Sequence, residues 1–286
     1  MEHVRPPSFR KSPEPVGIAR LLWLLARREA IAKLSSFWFF LVASVVCLTA
    51  FLYGFGFERT FETETVLVTS DPLAALNMAV IAFLGLVLGL RLSTCLSGER
   101  EHRTLEVLLV GPVPWSAVIL SKFLAELGVL AALVAIYGLY LLIAQPLGGG
   151  VIGVGDAASL LSTLLFVLPV MAVGLLVSAW ARSVRGAVVL YLALIVLLVA
   201  FEGALGALKT MPSEDMSLAS LFLRAGLDTV APVIQLVSPV SQLASMVERM
   251  FTQDPVRVKD AVAAVVLCAV MLAAAPVVAR LRGAQG

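Results

Sequence analysis

The sequence predicts an all-α, polytopic membrane protein with six transmembrane helices. Of its 286 residues, 60% are hydrophobic and only 14% are charged, and the mean hydropathy is +1.00. A soluble domain carries about one quarter charged residues. The apolar residues form continuous runs, and the length of each run is close to the roughly 20 residues that are needed to span a bilayer. Because these runs lack period-two alternation, we expect helices rather than barrel strands.

Residues 1–35 are predicted to form a cytoplasmic arm followed by a helix at the membrane surface. The first 17 residues mix prolines with basic residues, which is typical of a flexible arm. Residues 18–35 are then apolar in their first half and basic in their second, around Arg27, Arg28 and Lys33. This pattern favours an interfacial helix. The alternative is a soluble extension of the first span.

Residues 36–286 are predicted to form one transmembrane domain. Its six spans are expected at about 37–57, 73–96, 118–144, 157–180, 188–208 and 261–279. The segment 210–259 contains apolar stretches that are too short to span. These stretches predict re-entrant or interface-lying helices on the extracellular side. A small folded cap is the alternative.

The distribution of basic residues predicts that both termini lie in the cytoplasm. With that orientation, fifteen of the 21 lysines and arginines fall inside and six fall outside. The short connections carry the clearest signal, since 181–186 holds two arginines and 148–155 holds none. Cytoplasmic loops are the ones enriched in Lys and Arg.

The connection between the second and third spans is the candidate functional segment. It begins with alternating charges and becomes apolar from Leu105 onward, with the i, i+3, i+4 spacing of a short amphipathic helix. Pro112 and Pro114 are expected to end that helix before the third span. The alternative is a solvated turn.

The run SGEREHRTLEVLLVGPVPWSAVILSKFLAEL in this connection resembles the coupling segment of type-2 ABC transporter permeases. That family carries an E-R-x-x-G-T-L-E-x-L-L stretch, then a Pro and a Gly-Lys pair. The matching residues are Glu99, Arg100, Thr104, Leu105, Glu106, Leu108, Leu109, Pro112 and Lys122. Arg103 and Ser121 stand where the family commonly has Gly. The AWARSVRGAV turn and the later SPVSQL motif also resemble the family.

The resemblance implies a permease subunit of an ATP-driven exporter in a bacterial inner membrane. Its implied partners are two ATP-binding cassette subunits, a second permease copy or homologous permease, and membrane lipid, with no nucleic acid. A coupling helix at about 98–110 would contact a cassette. The implied contact residues are Glu99, Arg100, Glu101, Arg103, Thr104, Leu105 and Glu106. A secondary contact is implied at Arg27, Arg28 and Glu29.

The chain is not expected to be an enzyme or to bind a cofactor itself. A phosphate-binding loop needs Gly-x-x-x-x-Gly-Lys-Ser/Thr, and none of the five lysines follows a glycine. ATP and Mg are therefore expected on a partner chain. With only His3 and His102 in the sequence, a histidine-rich metal site is excluded, and no metal site is predicted.

Arg91 and Glu202 are candidates for the pathway or a gate because they lie inside predicted spans. A charge at the bilayer centre costs about 2.5–3.5 kcal/mol on insertion scales. Anchoring at the membrane interface is the alternative for both, and Arg91 can snorkel from the cytoplasmic end of its span. Gly85 and Gly89 form a Gly-x-x-x-Gly pair, which favours close helix packing and, second, a subunit contact.

Two other classes of function compete with the permease hypothesis. A secondary transporter driven by an ion gradient often has repeated halves and broken helices, and the sequence has no clear internal repeat. An intramembrane protease needs a serine and a histidine inside its spans, and no predicted span contains a histidine.

Overall fold

A computed structural model describes residues 17–64, 72–102, 114–144, 154–210, 225–227, 229, 231, 238–242 and 258–283. The described chain forms seven long helices and contains no β-strand, which confirms the all-α prediction. The helices are α1 (Ile18–Leu34), α2 (Phe37–Glu64), α3 (Pro72–Glu101), α4 (Trp115–Ala144), α5 (Val154–Trp180), α6 (Val184–Thr210) and α7 (Val258–Gly283).

Five of the seven described helices contain an apolar segment long enough to cross a membrane. These segments are Phe37–Phe55, Leu76–Glu101, Trp115–Ala144, Val184–Ala207 and Lys259–Leu281. Helix α5 contributes a shorter apolar segment, Leu164–Trp180, among the residues whose side chains are described. The prediction of a polytopic membrane protein is confirmed, and the six predicted spans lie within α2 to α7.

Several helices extend beyond the predicted spans. Helix α3 continues to Glu101, five residues past the expected end at 96, so residues 98–101 form its last turn. Helix α4 begins directly after Pro114, whose carbonyl accepts hydrogen bonds from the amides of Ala117 and Val118. At 1.5 Å per residue, a helix of 30 residues is about 45 Å long, whereas the hydrocarbon core is about 30 Å thick. Helices α3 and α4 are therefore long enough to extend about 15 Å beyond it.

Helix α5 occupies the centre of the bundle, with α3 and α7 packed on it. Helix α6 packs on α3, and α1 packs on α4. Leu88 and Leu92 of α3 meet Met171 and Leu175 of α5 in a core that is almost closed to solvent. The outward faces of α2, α4, α6 and α7 expose large apolar side chains, as expected for surfaces that face lipid.

Helices α3 and α5 approach each other closely at Gly89 and Gly174. A methyl group on Gly174 would overlap the carbonyl of Gly89, and one on Gly89 would overlap the Tyr191 hydroxyl and lie 3.1 Å from the Val170 carbonyl. The predicted packing role of the Gly-x-x-x-Gly pair therefore applies within this chain.

The predicted extracellular segment 210–259 is described only in part. Residues 225–227, 229, 231 and 239–242 are helical. Most of the segment lies outside the described residues, so the re-entrant helices and the folded cap both stay predictions.

Candidate functional site

Helix α1 presents different residues to the bundle and to its surroundings. Ala26 is buried, and the Ala30 side chain lies beside Gly128 of α4. Arg27 and Arg28 are exposed on the outer side. Glu29 and Lys33, one turn apart, form an i, i+4 ion pair at 3.0 Å and turn toward the bundle. Helix α1 thus brings one acid and one base to the surface of α4.

Six charged side chains from three helices form one continuous series of ion pairs, here called the ion-pair chain. Each of α1, α3 and α4 contributes one acid and one base. In order, the members are Arg91, Glu126, Lys33, Glu29, Lys122 and Glu99, and successive nitrogen–oxygen distances are 3.6, 2.9, 3.0, 3.5 and 2.5 Å. Because signs alternate, every interior member has an opposite charge on each side.

The middle of the ion-pair chain is shielded from solvent. The side chains of Glu126 and Lys122 are 2% and 7% exposed, and that of Lys33 is 15% exposed. A buried charge that loses its partner is strongly destabilising, so the balance of three acids and three bases is what permits this burial. The charges hold α1 on α4 and both on α3.

A second set of contacts ties the end of α3 to the turn between α5 and α6. The Ser178 hydroxyl accepts the amides of Leu96 and Ser97 at 2.9 and 3.2 Å. One turn further, the Arg100 guanidinium donates to the Ala181 carbonyl at 2.9 Å. The last turn of α3 is therefore linked to α5 as well as to α4.

Glu101 extends this link to helix α6. Its Oε2 atom accepts the backbone amide of Val184, the first residue of α6, at 3.2 Å. A carboxylate at a helix N-terminus satisfies a free amide and interacts favourably with the helix dipole. The last residue of α3 is thus bonded to the first residue of α6.

The structure links the two predicted cassette contacts through Glu29 and Glu99, whereas Arg27 and Arg28 of the secondary contact face outward. Glu99, Arg100 and Glu101 each bond to a neighbouring element, and Glu29 joins Glu99 through Lys122. The remaining predicted residues of the coupling segment lie outside the described residues. They are Arg103, Thr104, Leu105 and Glu106.

The two candidate gate residues lie in different environments. Arg91 is the first member of the ion-pair chain, 3.6 Å from Glu126. Glu202, near the far end of α6, accepts a hydrogen bond from the hydroxyl of Ser241, which belongs to the SPVSQL motif. The Ser241 amide in turn donates to the Ser238 hydroxyl at 3.1 Å. The structure thus joins Glu202 to the SPVSQL motif, a contact that the sequence did not predict.

Lys33, Lys122 and Glu126 are central to the site but were not predicted as site residues from the sequence. A usable signal existed, because Glu29/Lys33 and Lys122/Glu126 are both acid–base pairs at i, i+4 spacing near the ends of apolar runs. Within the described ranges, no group of three or more His, Cys, Asp and Glu side chains is placed to hold a metal ion.

Comparison with known proteins identifies the family of this chain. The family model for ABC-2 family transporter proteins matches residues 23–279, which includes most of α1, all of α2 to α6 and most of α7. No curated protein matches the chain. Since the family match covers nearly the whole sequence, this chain belongs to the ABC-2 transporter family, as a membrane subunit with several spans.

Proposed function

We propose that this chain is the transmembrane permease subunit of an ATP-driven exporter. It pairs with a second permease, identical or homologous, and with two ATP-binding cassette subunits that hold ATP and Mg. Both termini lie on the cytoplasmic side of a bacterial inner membrane. The end of the bundle that carries α1, Glu101 and the turn at 181–183 then faces the cassettes.

The observation that carries this proposal is the position of Lys122 between Glu29 and Glu99. Its ammonium group pairs with both carboxylates, at 3.5 and 2.5 Å. Glu29 lies on α1 and Glu99 on the last turn of α3, the two elements expected to meet a cassette. A single buried cation therefore joins the two expected input points.

The contacts support different roles for the predicted coupling residues. Arg27 and Arg28 are exposed on the outer side of α1 and serve as the secondary cassette contact. Glu29 faces α4 and fixes α1 in place. Residues 103–106 provide the principal contact, and Glu99, Arg100 and Glu101 pass its displacement to α4, α5 and α6.

Closure of the cassettes on ATP would move the coupling segment and α1 together. Packed helices respond to such a push by moving between discrete arrangements. Helix α6 is attached to α3 through Glu101 and carries Glu202 near its other end, about 27 Å away along the helix at 1.5 Å per residue. We propose that the Glu202–Ser241 contact belongs to the outer gate and Arg91 to the cytoplasmic one.

The proposal is tested by purifying the tagged chain from its native membrane in a mild detergent. We expect a nucleotide-binding ATPase to co-purify with the chain. We expect Lys122→Met to reduce the amount of ATPase recovered or the stimulation of its ATP hydrolysis by the chain. Arg20→Gln is the matched control, since Arg20 is an exposed basic residue outside the ion-pair chain.

Reconstitution distinguishes the competing functions. Transport by the isolated chain in liposomes under an ion gradient alone would favour a secondary transporter and contradict the proposal. Hydrolysis of lipid or peptide by the purified chain without ATP would favour an intramembrane enzyme. Transport that requires both the ATPase and ATP is the result expected of the permease.

A further inference from the structure

A shallow groove with a volume of about 410 Å³ runs along the outer side of the turn between α5 and α6. Arg182 contributes the charged side chain of its lining. The uncharged lining residues are Trp180, Ala181, Gly186, Val189, Leu190 and Ala193. Because the turn joins the apolar segments Leu164–Trp180 and Val184–Ala207, the groove lies where the chain leaves and re-enters the apolar part of the bundle.

The side chains that line the groove are exposed on the outside of the described helices. Val189 is 67% exposed and Trp180 is 54% exposed. Arg182 is also exposed. An open apolar wall beside an arginine fits an amphipathic ligand whose hydrocarbon lies on the wall and whose anionic group meets the guanidinium.

The charge of this region is positive. Arg185 adds a second exposed cation in the first turn of α6, and the sequence 181–201 contains no acidic residue. Among the described residues of α3, Glu101 reaches the turn and accepts the Val184 amide. The groove lining itself contains no carboxylate to compete for Arg182.

We propose that this groove binds an anionic phospholipid from the surrounding bilayer. The phosphate-bearing headgroup lies on Arg182, and an acyl chain lies along Val189 and Leu190. Basic sites between spans at headgroup level bind anionic lipids, and tryptophan is enriched at the same level. One arginine near the membrane surface corresponds to about a fivefold preference for anionic over zwitterionic lipid.

Tryptophan fluorescence tests this site directly. A variant that keeps Trp180 and replaces Trp23, Trp38 and Trp115 with Phe is placed in bilayers that contain acyl-brominated phosphatidylglycerol or phosphatidylcholine. We expect brominated phosphatidylglycerol to quench Trp180 at a mole fraction about fivefold lower than brominated phosphatidylcholine requires. Arg182→Gln should remove this preference. Arg185→Gln is the matched control and should retain it, because Arg185 does not line the groove.

Three outcomes would overturn the proposal. Equal quenching by both lipids means that only non-selective boundary lipid is present. Loss of the preference in both arginine variants means that general positive charge, and not the groove, attracts the lipid. Protection of Trp180 from both lipids means that another protein surface, such as a second copy of the chain, covers the groove.

A second measurement uses the chain with all four tryptophans in place, in case the triple replacement does not fold. Lipid-depleted protein is titrated with unmodified phosphatidylglycerol or phosphatidylcholine while its thermal unfolding is followed. In the unmodified chain and in Arg185→Gln, we expect phosphatidylglycerol to raise the unfolding midpoint at a concentration about fivefold lower than phosphatidylcholine requires. In Arg182→Gln, the two lipids should act at the same concentration. Equal effects of both lipids would contradict the proposal. Neither experiment needs an ATPase, so its result is independent of the proposed transport function.

Discussion

The Lys122 ammonium group lies 2.5 Å from a carboxylate oxygen of Glu99, which joins the early part of α4 to the last turn of α3. Lys122 is also 3.5 Å from Glu29 of α1, so one cation holds three helices. Because each of these helices supplies one acid and one base to the ion-pair chain, a change at any member alters the charge balance of all three.

Replacing Lys122 with methionine should destabilise the protein. The substitution keeps the length of the side chain but leaves Glu29 and Glu99 without their shared cation, at a cost of about 3 kcal/mol. Thermal unfolding in detergent measures the effect. Arg20→Gln, outside the ion-pair chain, should change the midpoint little, and an equal loss in both variants would contradict the assigned role of Lys122.

Lys33 and Glu126 should be energetically coupled. They lie 2.9 Å apart, and Glu126 is almost completely buried. The double variant Lys33→Met/Glu126→Gln should lose less stability than the sum of the single variants, with a coupling of about 1–3 kcal/mol. The same cycle on Arg28 and Glu126 should be additive, since Arg28 faces outward. Additivity in the first cycle would show that the ion pair between Lys33 and Glu126 contributes nothing to the free energy of unfolding.

Gly174→Ala should force α3 and α5 apart. The added methyl group would overlap the backbone of Gly89, which cannot move aside as a flexible side chain can. We expect a loss of about 1–3 kcal/mol, the usual cost of overpacking. Gly138→Ala is the control, because nothing lies within 4 Å of its added methyl group and a helical Gly-to-Ala change favours folding. Similar midpoints for the two variants would argue against close packing at Gly174.

Glu101→Ala and Glu101→Gln should differ. Glutamine retains an oxygen that can accept the Val184 amide, whereas alanine leaves that exposed amide to water, at a cost of about 0.5–1.5 kcal/mol. If this bond transmits motion to α6, the alanine variant should also lose stimulation of the ATPase by transport substrate. Equal stimulation in both variants, at equal expression, would remove Glu101 from the coupling route.

Glu202→Ala should slow transport while leaving ATP hydrolysis by the proposed cassette partner largely intact. Glu202 accepts the Ser241 hydroxyl far from the coupling end, so its removal acts on the proposed outer gate. Ser241→Ala should have a similar but smaller effect, because the carboxylate remains. Lys259→Gln, an exposed charge at the start of α7, is the control. A parallel fall in hydrolysis and transport would assign Glu202 to folding instead of gating.

The amino-acid sequence alone determined the positions of the helices, because an apolar run near the thickness of a bilayer has few other stable forms. It also determined the family resemblance, through the order of the charged connection, the AWARSVRGAV turn and the SPVSQL motif. Helix α3 extends past the predicted end of its span at 96, because the polar residues Glu99 and Arg100 contact Lys122 of α4 and the Ala181 carbonyl after α5.

Only the tertiary structure decided which charges meet. Helical spacing places Glu29 and Lys33 on one face of α1, but the rotation of that face toward α4 depends on how Ala26 and Ala30 pack. Likewise, nothing local in the sequence directs Glu101 to Val184 or Glu202 to Ser241, because the residues of each pair are far apart along the chain. Helices that are apolar on all sides carry little information about their neighbours, so packing selects the partners of their few charges.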